Sequence, residues 1–172
     1  GRDETTTLCL IPMVAKEITV PLIAAGGIGT RRGMLAAMNF GADGVQIGSR
    51  FVTSPESSAH INFKNSIIDS KEGDTLLTLK DLTPVRLLKI EFFFQLEKAY
   101  EECANSDQIL ELLGRGWAKK GMFEGDLKEG ELEIGQIAGL IDEIKPAAGI
   151  VNEIISEYKQ ALNEQNSAKY IF

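Results

Sequence analysis

Two glycine-ended apolar segments hold the residues in this chain best placed to do chemistry. They are VPLIAAGGIGTRRG at positions 20–33 and GADGVQIGSRF at positions 41–51. Each reads as a short buried strand that stops at glycine, at Gly26-Gly27 and at Gly48-Ser49. A glycine there lets backbone N–H groups approach a ligand with no Cβ in the way. Ser49 adds a hydroxyl donor, and Arg31, Arg32 and Arg50 bring positive charge to the neighbourhood. The chemistry implied is capture of a phosphate by amides at a strand-to-helix turn. One glycine pair is usually only a turn or cap, but two at consecutive strand ends point to phosphate. The arginines read equally well as a solvated face.

These residues have to be positioned by a regular framework. Thr5 to Glu17 reads as a helix, with Leu8, Val14 and Ile18 on its apolar face and Pro12 blurring its start. Val20 to Ala25 is an unbroken apolar run of the kind covered on both faces in a parallel sheet. Thr30 can cap a helix carrying Leu35, Met38 and Ala42, and Gly44 to Ile47 is a second strand. The order is helix, strand, helix, strand, which is βαβ logic.

After Phe51 the pattern turns mainly helical. Ser54-Pro55 is expected to open a helix through Ile68, and Thr75 to Leu79 alternates weakly. Thr83-Pro84 is expected to start a long helix striped by Val85, Leu88, Phe92, Leu96, Ala99 and Cys103. Gly114 to Gly149 reads as irregular, and Ile150, Ile154, Tyr158 and Leu162 mark a final amphipathic helix. A complete (β/α)8 barrel needs eight strands and about 250 residues. The expected fold is therefore α/β: the C-terminal part of a (β/α)8 TIM barrel, about its last two strands, plus a mainly helical C-terminal extension. The division is 1–70 for the barrel part and 71–172 for an extension or lid. The chain is expected to need the missing N-terminal half of the barrel, and the absence of an initial Met agrees with that.

Composition excludes some classes of function. The net charge of -7 and pI near 4.8 disfavour nucleic acid and anionic membranes as partners. The longest apolar run, Val20 to Ile28, is far too short to span a bilayer. Cys9 and Cys103 lack a CxxC partner and read as buried free thiols, which suits a reducing cytoplasm. With one histidine in the chain, no metal site is expected.

The segment AAGGIGTRRGMLAAMNFGADGVQIGSRF (24–51), ESSAHINFK (56–64) and the late GQIAGLI (135–141) resemble nitronate monooxygenases, formerly 2-nitropropane dioxygenases. They are also similar to the related flavin-dependent enoyl-acyl-carrier-protein reductases. The resemblance implies an FMN enzyme in which Gly26, Gly27, Gln46, Ile47, Gly48 and Ser49 hold the cofactor. Ser49 stands where the family often has Thr, and a hydroxyl is kept. The activity implied is oxidation of alkyl nitronates by molecular oxygen. The alternatives are NAD(P)H-dependent enoyl-thioester reduction, or a non-catalytic flavin-binding fragment. The family's base is a histidine in a GGH element expected upstream of Gly1. His60 is the candidate within this chain, either for catalysis and cofactor contact or as a helix-face packing residue. Gln136 could sit on a lid or in a turn, and Phe92–Phe94 and Trp117 read as packing. The long amphipathic helices could serve a homodimer.

Overall fold

The computed structural model describes residues 5–165 and 167. It is a mixed α/β chain in which helices dominate, and it forms two compact units. The first contains the described residues up to Phe51 together with those from Lys145 onward, and the second is Val52–Ile144. The division expected at residue 70 differs from this one. Helix α7 (Ala147–Glu164) returns to the first unit, because its buried Ile150, Ile154 and Ala161 give it a face to pack there.

In the first unit, α1 (Thr7–Glu17) leads into β1 (Ile23–Ala25), α2 (Arg31–Asn39) and β2 (Gly44–Gln46). The strands pair in parallel, with Ile23 opposite Gly44, Ala24 opposite Val45 and Ala25 opposite Gln46. Ala24 faces the helices in a core with Ile11, Ile28, Ala37 and Ala42. Ile23 and Ala25 are exposed, so β1 is covered on one face only, not on both as its apolar run implied. The run is also shorter as a strand than as a sequence pattern, since Val20-Pro21-Leu22 lies outside the pairing. Thr30 caps α2 by accepting from the Gly33 amide at 3.1 Å. Pro12 sits inside α1 without ending it.

The second unit corrects two expectations. Val85–Leu88 is a strand, β4, paired antiparallel with β3 (Thr75–Thr78), and the helix following it, α5, covers only Glu91–Glu101. The apolar stripe fits either period locally. The decision comes from non-local bonds: Arg86 reaches the Thr75 carbonyl at 3.1 Å, and the Leu88 amide donates to Leu132 O at 2.9 Å. Ser54-Pro55 likewise opens no helix. The Lys64 ammonium takes the carbonyls of Ser54 (2.7 Å) and Ser57 (3.0 Å), so this stretch is turned back on itself and α4 begins only at Ile61 (Ile61–Ile68).

Helix α3 (Ser49–Val52) follows β2, and α6 (Ser106–Leu113) is closed by a capping box between Asn105 and Gln108. A π-helical turn (Lys119–Phe123) and a 3-10 turn (Gln136–Leu140) punctuate the stretch that reads as irregular. Two cores hold this unit. One gathers Phe63, Ile67, Leu88, Leu132 and Ile141, and the other gathers Leu87, Phe92, Phe93, Leu96 and Ile109. Phe92 and Trp117 are ring partners at 4.7 Å, so both are packing residues, whereas Phe94 is exposed. Cys9 and Cys103 are exposed, contrary to the expected burial. Around Cys9 the apolar neighbours that implied burial turn their own side chains outward too, as exposed Leu8 and Leu10 show.

The π-helical turn is held by contact between main chains. A Cβ built on Gly121 would lie 2.1 Å from the carbonyl oxygen of Glu131, an atom that cannot rotate away. Gly121→Ala is therefore expected to destabilise the fold by about 1–3 kcal/mol. Chemical denaturation would show this as a lower midpoint, and an unchanged midpoint would mean the two segments do not touch.

Candidate functional site

The register of β1 with β2 brings the two glycine-ended turns side by side at the carboxyl ends of parallel strands. Ala25 and Gln46 are direct partners, so Gly26-Gly27 and Ile47-Gly48 leave the sheet together. Main-chain and side-chain bonds at the other end lock that register. The Asp43 amide donates to Leu22 O at 2.8 Å, and the Asp43 carboxylate accepts from the Leu22 amide at 2.7 Å.

Gly26 and Gly27 have φ of +95° and +70°, in the left-handed region that disfavours any side chain. The space where a Cβ would stand is open at both Gly26 and Gly48, with no atom within 4 Å. Both glycines and Gln46 are exposed, while Ile47 and Ser49 are half-buried. Ala25 and Gln46 are register partners, which places the Gln46 side chain on the sheet face left open by Ile23 and Ala25. The arrangement offers amides, one amide side chain and one hydroxyl around open space, which is a donor set for an oxyanion.

The three arginines are engaged elsewhere. Arg31 pairs with Glu157 at 3.5 Å, Arg32 with Glu164 at 2.7 Å and Arg50 with Glu153 at 3.9 Å. Glu153 also holds Lys145. All three carboxylates stand on α7 at spacings of four and seven residues, which places them on one helix face. The signal for this was present in the sequence as Glu153 and Glu157 at i,i+4, but nothing local tied them to the arginines. Arg50 is buried, so its pair carries weight, whereas the exposed Arg32 pair is worth little.

His60 lies in the second unit and has a structural task. It is the N-cap of α4, with Nδ1 accepting from the Asn62 amide at 3.1 Å, and its own amide donates to Met122 O at 2.8 Å. The imidazole stacks so closely on Gly125 that a Cβ there would fall 2.1 Å from Nδ1, and Asn62 donates to Gly125 O at 2.9 Å. Gln136 is exposed at the start of the 3-10 turn.

One group that sequence reading passed over is Glu131. Burial, and secondarily the charge of Glu133, push its carboxyl up to about 7. The signal was the alternation Glu131-Leu132-Glu133-Ile134, which turns both leucine and isoleucine into the core and both acids to the other side. Those acids line a cavity of about 330 Å³ with Trp117, Leu79 and Val85. Among the described residues, no group of three or more His, Cys, Asp or Glu side chains could hold a metal, and no helix is long and apolar enough to cross a membrane.

Comparison with known proteins agrees with this architecture. The family model for nitronate monooxygenase matches residues 1–157. A probable nitronate monooxygenase of Staphylococcus saprophyticus is 31% identical over 91% of this chain and 44% of its own length. FabK from Thermotoga maritima superposes with a TM-score of 0.87 at 40% identity, covering 94% of this chain and 51% of FabK. The nitroalkane oxidase of Streptomyces ansochromogenes superposes with a TM-score of 0.72 at 28% identity, over 93% of this chain and 45% of its own. The chain thus spans about half the length of the relatives it matches.

Two outcomes follow for the second unit. His60→Ala should cost about 1 kcal/mol through loss of the cap, and His60→Asn should recover most of it, as read by thermal unfolding. Equal losses for the two variants would deny the capping role. For Glu131, the folded carboxyl titrates above its ordinary range, so its protonated form is the one the fold prefers. Its contribution to stability is fully present below about pH 4.5, the ordinary value, and is lost as pH rises through about 7. Glu131→Gln should flatten that decline between about pH 4.5 and 7, the span of the shift, and a decline as steep as in the parent would contradict the assignment.

Proposed function

Because the chain belongs to the nitronate monooxygenase family, we propose that it is the FMN-phosphate-binding, C-terminal part of a (β/α)8-barrel flavoenzyme that oxidises alkyl nitronates with molecular oxygen. The observation that carries this reading is the in-register ending of β1 and β2 at Gly26-Gly27 and Ile47-Gly48. Ligands of parallel α/β folds bind at the carboxyl ends of strands, and barrel phosphate sites use the last two.

The residues fit the phosphate end of FMN. Left-handed glycines present amides without side chains, and the open space beside Gly26 and Gly48 admits ligand atoms. Gly26, Gly27 and Gly48 would supply amides, and Ser49 would supply a hydroxyl. Gln46 would donate or accept on the open sheet face, and Ile47 would give an apolar wall. Bound FMN supplies the electron chemistry, and the protein binds and orients it. The arginines are assigned no phosphate contact, since α7 carboxylates already hold them. His60 is not assigned the substrate proton, because its Nδ1 is occupied as a helix cap. That proton belongs to a histidine of the barrel's other half. A small-molecule substrate, a cytoplasmic setting and a homodimer complete the proposal.

A second reading, FMN-dependent enoyl-acyl-carrier-protein reduction with NAD(P)H, is favoured by the 40% identity to FabK. The two separate by assay of the chain assembled with the other half of the barrel. Oxygen consumption with propionate 3-nitronate, and no NADH oxidation with a crotonyl thioester, is the expected result. NADH oxidation with the thioester and no oxygen uptake would transfer the assignment to the reductase, and neither activity would leave a flavin-binding fragment.

A further inference from the structure

The run Glu131-Leu132-Glu133-Ile134 is joined to β4 through its main chain. The Leu88 amide donates to Leu132 O at 2.9 Å, the Ile134 amide donates to Arg86 O at 3.2 Å, and Leu87 stands opposite Glu133. Successive side chains of such an extended run leave on opposite faces. Leu132 and Ile134 take the core face, so Glu131 and Glu133 share the other, where they line the cavity of about 330 Å³. Every residue that lines it belongs to the second unit. Leu79, Val85, Leu113 and Trp117 give it apolar walls, and its volume is that of a small-ligand pocket. The indole is fixed there, with Phe92 packed on it at 4.7 Å. A Cβ on Gly114 would fall 2.8 Å from the indole Nε1, so the glycine is what lets the ring edge stand at the wall.

Charge in this cavity has one sign. Its described lining residues include no Lys, Arg or His. On the elements packed nearby, the Arg86 guanidinium is taken by the Thr75 carbonyl at 3.1 Å and the Lys120 ammonium by Glu129 at 2.8 Å. Glu131 is half-buried, and what bears on its carboxyl is burial first and the like charge of Glu133 second, with no cation offsetting either. A carboxylate in that position is stabilised by any opposite charge brought within reach.

We infer that this cavity binds a small organic cation, an alkylammonium whose charge sits between Glu131 and Glu133 and whose carbon body lies against Trp117, Leu79 and Val85. The apolar walls favour an organic cation over an inorganic one. A divalent ion needs about six oxygen ligands, and among the described residues no group of three or more His, Cys, Asp or Glu could hold a metal. A neutral apolar guest would leave the two carboxylates uncompensated. The indole already accepts an ammonium of the chain itself, since Lys120 Nζ lies 5.4 Å from the ring centroid. None of these residues belongs to the proposed phosphate turn, so failure of the flavin reading would leave the cation site standing. Cation and proton compete for Glu131, and binding therefore strengthens as pH rises through about 7.

The test titrates the full chain with choline and with the uncharged isostere in which carbon replaces the ammonium nitrogen. Calorimetry gives the affinity, and emission from Trp117, the single tryptophan, reports the place of binding. Choline should bind at least about tenfold more tightly than the isostere and shift the emission. Its affinity should rise at least about tenfold between about pH 5.5 and pH 8. Glu131→Gln should weaken choline at least about tenfold and remove the pH dependence, and Glu133→Gln should give a smaller loss. Both variants keep the side-chain size, and the neutral form at position 131 is the one the fold prefers, so folding survives. Glu72→Gln removes the same charge from an exposed position of the second unit outside the cavity and should change nothing. No binding of choline, equal affinity for the isostere, affinity flat with pH, an equal loss in Glu72→Gln, or heat without a change in Trp117 emission would each overturn the inference.

Discussion

The first unit depends on one constraint, the register between β1 and β2. Asp43 sets it from the entry end, bonding Leu22 through both its amide and its carboxylate. Ile23 must then face Gly44, and Ala25 must face Gln46. A slip of one residue would send Ala24 out of its core with Ile11 and Ala37, or turn Gln46 away from the open face, according to which strand moved. It would also separate the two glycine turns. The candidate phosphate site is thus a property of strand alignment before it is a property of any single side chain.

Electrostatics around that alignment are balanced within the unit. An acidic chain with a net charge of -7 has placed Arg31, Arg32 and Arg50 near a prospective anion site, and α7 answers each with a glutamate. The buried Arg50–Glu153 contact matters most, because a buried guanidinium deprived of its carboxylate is costly. The outer pairs, largely open to solvent, add little by themselves. In the proposed site an oxyanion at the strand ends would be left to the glycine amides and the Ser49 hydroxyl.

Much of this was legible before any coordinates. Gly26-Gly27 and Gly48-Ser49 marked the strand ends because glycine after a short apolar run has few other uses, and Thr30 announced the start of α2. Elements decided by distant partners were illegible. The stripe from Val85 to Cys103 fits a helix on its own, and only pairing with Thr75–Thr78 and a bond to Leu132 makes its first part a strand. Lys64 unmade the helix expected at Ser54-Pro55 by claiming carbonyls seven and ten residues back. His60 looked like chemistry because it is the lone imidazole, and its environment makes it a cap. The return of α7 to the first unit had no local signature, since the glutamates that hold the arginines lie more than a hundred residues away from them.

The central claim is that the paired strand ends grip a phosphate. Its most direct measurement compares the affinities of FMN and riboflavin, which differ only in that group, for the chain assembled with the other half of the barrel, in parent and Ser49→Ala forms. The account predicts that the parent prefers FMN by at least about 100-fold, and that Ser49→Ala lowers FMN affinity about tenfold without moving riboflavin, as loss of one charge-assisted hydrogen bond implies. Equal affinities for the two flavins in the parent would contradict it.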